Sequence, residues 1–104
     1  LAPVQVRVLP IADRHHGYAA EVAERLRAAG LRVEVDDRNE KVGYKVRQGQ
    51  VEKVPYLLVV GDREAAEGLV SVRSRERGDE GPAPLEAFLE RVRAEIAARR
   101  APAD

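Results

Sequence analysis

Apolar Val4, Val6 and Val8 alternate with polar Gln5 and Arg7, the two-residue period of a strand with one face more buried than the other, and Pro10 closes that run. Asp13 is a plausible N-cap for a helix from about Arg14 to Ala29. Tyr18, Ala19, Val22, Ala23 and Leu26 supply its apolar stripe, and Gly30 stands where a left-handed C-terminal residue is expected. Leu31, Val33 and Val35 alternate again as a second strand. Residues 43–51 predict a short helix, with Val42 and Val46 four apart; Gly43 and Gly49 weaken it by propensity, so tertiary contacts must hold it. Val54 to Val60 is nearly all apolar, the pattern of a strand covered on both faces, and predicts the centre of a sheet. Pro55 sits at its start, where a missing ladder donor is tolerated. Gly61-Asp62 ends it in a turn, and Leu69 to Arg73 is a further strand after a turn at Gly68. Gly78 to Pro84 predicts a Gly/Pro/acid loop. Leu85, Phe88, Leu89, Val92 and Ile96 mark one face of a closing helix, and Ala101 to Asp104 should fray.

Strands alternating with helices imply an α/β domain with a parallel or mixed sheet covered on both faces. Ligands of such sheets bind beyond the carboxyl ends of the strands. Here those ends are the loops Ile11 to Asp13, Asp36 to Asn39 and Gly61 to Glu64.

The 104 residues suffice for one domain and one core, and 35% charged with 44% apolar residues fits a compact chain. No apolar run approaches the ~20 residues of a membrane span, and no hydrophobic leader precedes the first strand. The absence of cysteine excludes disulfides, thiolate nucleophiles and Cys-based zinc sites, and is compatible with a cytoplasmic location. Leu1 is not an initiator residue and the chain has no Met, so a piece of a longer protein is expected. Formal charge sums to zero, yet Arg38, Lys41, Lys45, Arg47 and Lys53 face only Glu40 and Glu52 across residues 38–53, a local excess of three positive charges. A neutral chain with one basic, amide-bearing edge fits recognition of a specific anion-rich feature; a solvated helix face is the alternative.

No catalytic constellation emerges. His15 and His16 are adjacent at a helix start and cannot share one helical face as two metal ligands would; a surface pair with one ring packed or capping is the simpler account. Ser71 and Ser74 lack an obvious paired base, and Asp36 and Asp37 point to opposite faces if extended. No glycine-rich loop with Lys-Ser/Thr follows a strand, so a nucleotide phosphate cradle has no support. Single-stranded RNA is the better match, because splayed bases are read on their edges by amides, carboxylates and guanidinium groups. Asn39, Arg47, Glu64 and Arg73 are such groups on different segments. Tyr44 and Tyr56 could stack on bases, with core packing the alternative, stronger for Tyr56. Arg73, Arg75 and Arg77 could equally be a charged sheet edge that discourages association.

The block Asp37-Arg38-Asn39-Glu40-Lys41-Val42-Gly43-Tyr44-Lys45-Val46-Arg47, followed by Lys53-Val54-Pro55-Tyr56-Leu57-Leu58-Val59-Val60-Gly61-Asp62, closely resembles the C-terminal anticodon-binding domain of the threonyl branch of class II aminoacyl-tRNA synthetases. The opening Leu1 to Val6 and Val70-Ser71-Val72-Arg73 extend the resemblance over nearly the whole chain. It implies a single anticodon-binding domain over residues 1–104, with a mixed, mostly parallel five-stranded sheet flanked by three helices. The family's base-reading positions fall on Ile11, Asn39, Arg47, Glu64 and Arg73; Lys41 and Lys45 are also expected to bind the anticodon region, Lys45 through phosphate. Arg14-His15-His16-Gly17 and Gln48-Gly49 depart mildly from the family's commonest residues. The implied partner is the anticodon loop of threonine tRNA, with neither DNA nor a membrane. ATP, magnesium, zinc and a homodimer interface belong to an upstream catalytic domain absent from these residues, so the chain is expected to bind and not to catalyse. Competing expectations are the same fold in the prolyl, histidyl or glycyl branch, or a related protein-interaction domain without RNA contact.

Overall fold

A computed structural model describes residues 4–100, with side chains described from 4 to 98; the expected fraying of Ala101 to Asp104 lies outside the described residues. The elements in order are β1 (Val6–Pro10), a 3-10 turn (Asp13–His15), α1 (His16–Ala28), β2 (Val33–Val35), α2 (Val42–Val51), β3 (Tyr56–Val60), α3 (Asp62–Glu67), β4 (Leu69–Ser74), β5 (Gly78–Pro84) and α4 (Leu85–Arg100). They build a five-stranded sheet in the order β2-β1-β3-β4-β5. β1 runs parallel to β2 and to β3, whereas β3–β4 and β4–β5 are antiparallel. The apolar run predicted as central is central. Three strands therefore end together, at Pro10, Val35 and Val60.

The faces of the sheet are covered unequally. Val6, Val8, Leu58, Val60, Val70 and Val72 pack under α1 and α4 with Val22, Leu26, Phe88, Leu89 and Val92. On the opposite face Leu9, Leu57 and Val54 pack with Val42 and Val46 of α2. Among the described residues, α2 is the helix that covers that second face, over β1 and β3. Its β4 positions Ser71 and Arg73 stay half-exposed.

Two local expectations change. Asp13 does not cap the first helix; it opens the 3-10 turn, whose extended N-cap is Ala12, and His15 supplies the cap, its Nδ1 accepting the Ala12 N–H at 3.1 Å. Gly30 does terminate α1, with φ +94°. Second, Gly78–Pro84 is a strand and not a loop. Its composition argues against a ladder, but β5 is an edge strand, where the missing proline donors at Pro82 and Pro84 cost no interior pairing. A bulge between Val72 and Arg73 leaves Glu80 unpaired on β5, and Gly81 supplies the φ of +82° beside it. α3 brings the helices to four instead of three. Six residues are too few to show a period, although Gly61 before it, acids in its first turn and left-handed Gly68 after it are the usual boundary signals.

The bulge aims Glu80 at α4. Its carboxylate accepts bonds from Arg91 at 2.6 and 3.0 Å and from the Ser74 hydroxyl at 2.6 Å. The Arg91 guanidinium first, and Ser74 after it, hold the Glu80 carboxyl down at about 2 against an ordinary 4.5. A depressed carboxylate stabilises the fold above its unfolded pKa and loses that contribution as pH falls through the folded one. Glu80→Gln should therefore be less stable than the parent at pH 6, with the gap closing between pH 4.5 and 2. Urea midpoints measured across that range test this; a gap independent of pH would contradict it.

Candidate nucleic-acid interface

At the joint carboxyl end of β1, β2 and β3, the ends of β1 and β2 are tied from below by Lys45. The expectation of an ammonium free to hold phosphate is corrected here: Lys45 is 2% exposed, and its Nζ donates to the carbonyls of Asp36 at 2.9 Å and Pro10 at 3.3 Å. Its place on α2 explains this. Val42, Lys45, Val46 and Gly49 share the sheet-facing side at helical spacing, which the sequence did display. The ammonium therefore joins the ends of β1 and β2.

Asp36 is nearly buried, and its carboxylate accepts the Arg38 Nε and Nη2, both at 2.8 Å. That guanidinium, the main cause, keeps the Asp36 carboxyl below the usual range. Arg38 also donates to Gln48, and its guanidinium carbon lies 5.9 Å from the centre of the Tyr44 ring. The basic edge is thereby thinned. Arg38 is neutralised and Lys45 internal, while Lys41, Arg47 and Lys53 have no side-chain hydrogen-bond or ion-pair partner among the described residues.

Above Lys45 opens a cleft of about 350 Å³ lined by Ile11, Arg14, Arg38, Asn39, Glu40 and Lys45, among others. Ile11 stands 47% exposed at its rim. Asn39 is exposed, and its amide has no partner among the described residues. Ile11 also meets the start of α3: a β-carbon added to Gly61 would lie 2.7 Å from Ile11 Cδ1 and 3.3 Å from Glu64 Oε1. That Glu64 oxygen accepts the Gly61 N–H at 2.8 Å. Ile11, Asn39 and Glu64 are thus gathered at one end of the sheet.

Arg47 and Arg73 stand apart from the cleft. Arg47 is exposed on α2, outside the sheet-facing stripe. Arg73 lies on β4 opposite Leu57, on the half-open face beside α2, with one contact to Asp79 at 3.4 Å. β4 is flanked by β3 and β5, so the sheet-edge explanation does not apply to Arg73. Tyr44 is half-exposed and offers a ring to solvent. Tyr56 is half-buried against the core, edge-on to Phe88 at 5.2 Å and donating to Glu95 at 2.6 Å, which favours packing over base stacking. Ser74 is occupied by Glu80. No group of three His, Asp or Glu able to hold a metal occurs among the described residues, and no helix among them is long and apolar enough to cross a membrane. An amide, a carboxylate, guanidinium groups and an apolar side chain around a sheet end can recognise base edges; they offer no nucleophile paired with a base.

Comparison with known proteins agrees with this chemistry. Residues 5–95 match the family described as the anticodon binding domain. The chain is 60% identical over 99 residues to a threonine–tRNA ligase of Caldanaerobacter subterraneus, covering 95% of this chain and 15% of the relative. It is 59% identical over 99 residues to that of Symbiobacterium thermophilum, with the same 95% and 15% coverage. The chain thus spans about 15% of the length of the curated relatives it matches. Among solved structures it is similar to the RNA binding domain of threonyl-tRNA synthetase from Cryptosporidium parvum, with a TM-score of 0.83 and 27% identity over 89% of this chain and 24% of that one. Prolyl-tRNA synthetase of the same organism superposes almost as well, with a TM-score of 0.81 and 28% identity over 93% of this chain and 21% of that one. The mixed sheet, the polar groups at its strand ends and the match over residues 5–95 agree: the chain belongs to the anticodon binding domain family.

Proposed function

We propose that this domain reads the anticodon loop of threonine tRNA on behalf of a threonine–tRNA ligase, and that aminoacylation is carried out by a part of the ligase outside these residues. The observation that carries it is the set Ile11, Asn39 and Glu64 at one sheet end, with Arg47 exposed on α2 and Arg73 on the half-open face, in a chain 60% identical to a named threonine–tRNA ligase. Asn39 and the arginines are assigned to base edges, Ile11 to an apolar base face, and Lys41 to phosphate. ATP, magnesium, zinc and the dimer interface are assigned to the remainder of the ligase, and the compartment to the cytoplasm. Zinc does not fit this domain, which has no cysteine and no three-residue His/Asp/Glu group among the described residues. The near-equal likeness to a prolyl enzyme keeps proline tRNA as the competitor, since fold alone does not choose the tRNA.

The test is a ratio of affinities for hairpins carrying the threonine anticodon and a base-substituted one. Asn39→Ala, Arg47→Ala or Arg73→Ala should each reduce that ratio about 5- to 150-fold, matching the 1–3 kcal/mol of a lost bidentate base contact. Lys41→Ala should weaken both hairpins alike and reduce the log–log salt slope by about 0.7, the value for one single-strand phosphate. If the three substitutions lower both affinities equally, they position the RNA and do not read it. Preference for a proline anticodon would transfer the domain to the other branch.

A further inference from the structure

Arg14, His15 and Asp62 form a bridge that the base-reading set does not include. Asp62, the first residue of α3, accepts Arg14 Nε at 2.9 Å and Nη2 at 2.8 Å, and its Oδ1 lies 2.5 Å from His15 Nε2. His15 is 3% exposed. Its Nδ1 already accepts the Ala12 N–H, so the ring proton sits on Nε2 and points at Asp62. One imidazole thereby holds both its own turn and the start of α3. The carboxyl of Asp62 is held far below its usual range, by Arg14 foremost and then by His15, as expected for a carboxylate accepting both.

The segments joined are those that carry two of the proposed reading groups. Ile11 precedes the 3-10 turn, and Glu64 lies in the first turn of α3. The Ile11 N–H bonds Val60 O at 3.0 Å, and Ile11 Cδ1 rests against Gly61. Apart from this corner, Ile11 faces solvent, and Glu64 rests on a helix of only six residues. A six-residue helix has little stability of its own. Resting on the anticodon-reading assignment above, we propose that the Arg14–His15–Asp62 bridge sets the spacing of Ile11 and Glu64, making His15 and Asp62 positioning residues for recognition of an unpaired base of the anticodon loop.

Asp62→Ala removes the bridge at an exposed position and should leave the fold intact. His15→Asn separates the two functions of the ring: an Asn oxygen near the place of Nδ1 can still accept the Ala12 N–H, while the shorter side chain ends before the position from which Nε2 meets Asp62. Each should lower the ratio of cognate to base-substituted hairpin affinity roughly threefold to thirtyfold, the scale of coupling through supporting residues. Gly61→Ala should do the same from the other side, since its β-carbon displaces Ile11. A readout independent of RNA is at hand, because the chain has two isoleucines, Ile11 and Ile96, and hence two Ile Cδ1 methyl resonances. The Ile11 methyl to Gly61 Hα cross-relaxation should weaken in Asp62→Ala and in His15→Asn, while the Ile96 resonance stays in place. Asn39→Ala is the control for the underlying assignment. If Asn39→Ala loses discrimination and Asp62→Ala keeps both the ratio and the Ile11–Gly61 contact, the bridge has no positioning role. If Asn39→Ala also retains full discrimination, the anticodon-reading assignment itself falls, and the role proposed for the bridge in recognition falls with it.

Discussion

Lys45→Ala is expected to unfold the domain some 10–20 °C below the parent, the shift produced by a loss of about 2–4 kcal/mol in a chain of this size. Two effects combine. The carbonyls of Pro10 and Asp36 lose their donor where the strand ends enter the cleft, and the buried aliphatic stem leaves a void beside the sheet. Lys45→Met separates them, since it refills the void and restores no hydrogen bond; it should recover part of the loss and not all of it. A surface lysine on phosphate would instead change RNA affinity by a salt-dependent factor with no effect on the unfolding midpoint. Thermal unfolding of the three proteins distinguishes the two. A midpoint unmoved by alanine would return Lys45 to the surface role that its sequence neighbourhood first implied.

Gly49→Ala and Gly43→Ala should move stability in opposite directions, although both replace a glycine within the same ten-residue helix. Intrinsic propensity favours alanine at each by about 0.5–1 kcal/mol. At Gly43 nothing lies within 4 Å of an added β-carbon, so the gain should appear. At Gly49 that carbon would sit 2.5 Å from Leu57 Cδ2, 2.9 Å from Cδ1 and 3.3 Å from Cγ. Leu57 is 2% exposed and held in the cluster with Leu9 and Val54, so it has little room to turn away. Overpacking of this kind costs about 1–3 kcal/mol and should exceed the propensity gain. Denaturant midpoints of the two variants provide the measurement; stabilisation by Gly49→Ala would show that α2 can lift off the sheet at little cost. Such lifting would also displace Lys45, so Gly49 and the strand ends are mechanically linked through one helix.

Under the proposed anticodon-reading function, the unequal covering of the sheet determines which surface is open to RNA. α1 and α4 bury one face, while α2 leaves the β4 side of the other face half-open. Arg73 presents its guanidinium there, and the neighbouring strand ends carry Ile11 and Glu64. RNA bases splayed from a loop can meet this surface without entering a deep pocket.

Local period and composition were enough to place β1, β2, β3, β4, α1, α2 and α4, because each carries its own apolar spacing. The Val54 to Val60 run announced its central place by being apolar on both faces. Asn39 and Arg47 were legible as exposed polar groups, and the structure leaves both without a side-chain partner among the described residues. The structure alone decided the rest. Pairing with β4 made a strand of Gly78–Pro84, whose residues have no strand propensity and needed a partner's ladder and an edge position to hold it. A charged residue within a basic run turned inward at Lys45, because the carbonyls it meets belong to strand ends 9 and 35 residues away. The His15–Asp62 contact spans 47 residues and left no periodic trace, because a bridge between a turn and the start of a helix depends on how the sheet brings them together and not on spacing within either one.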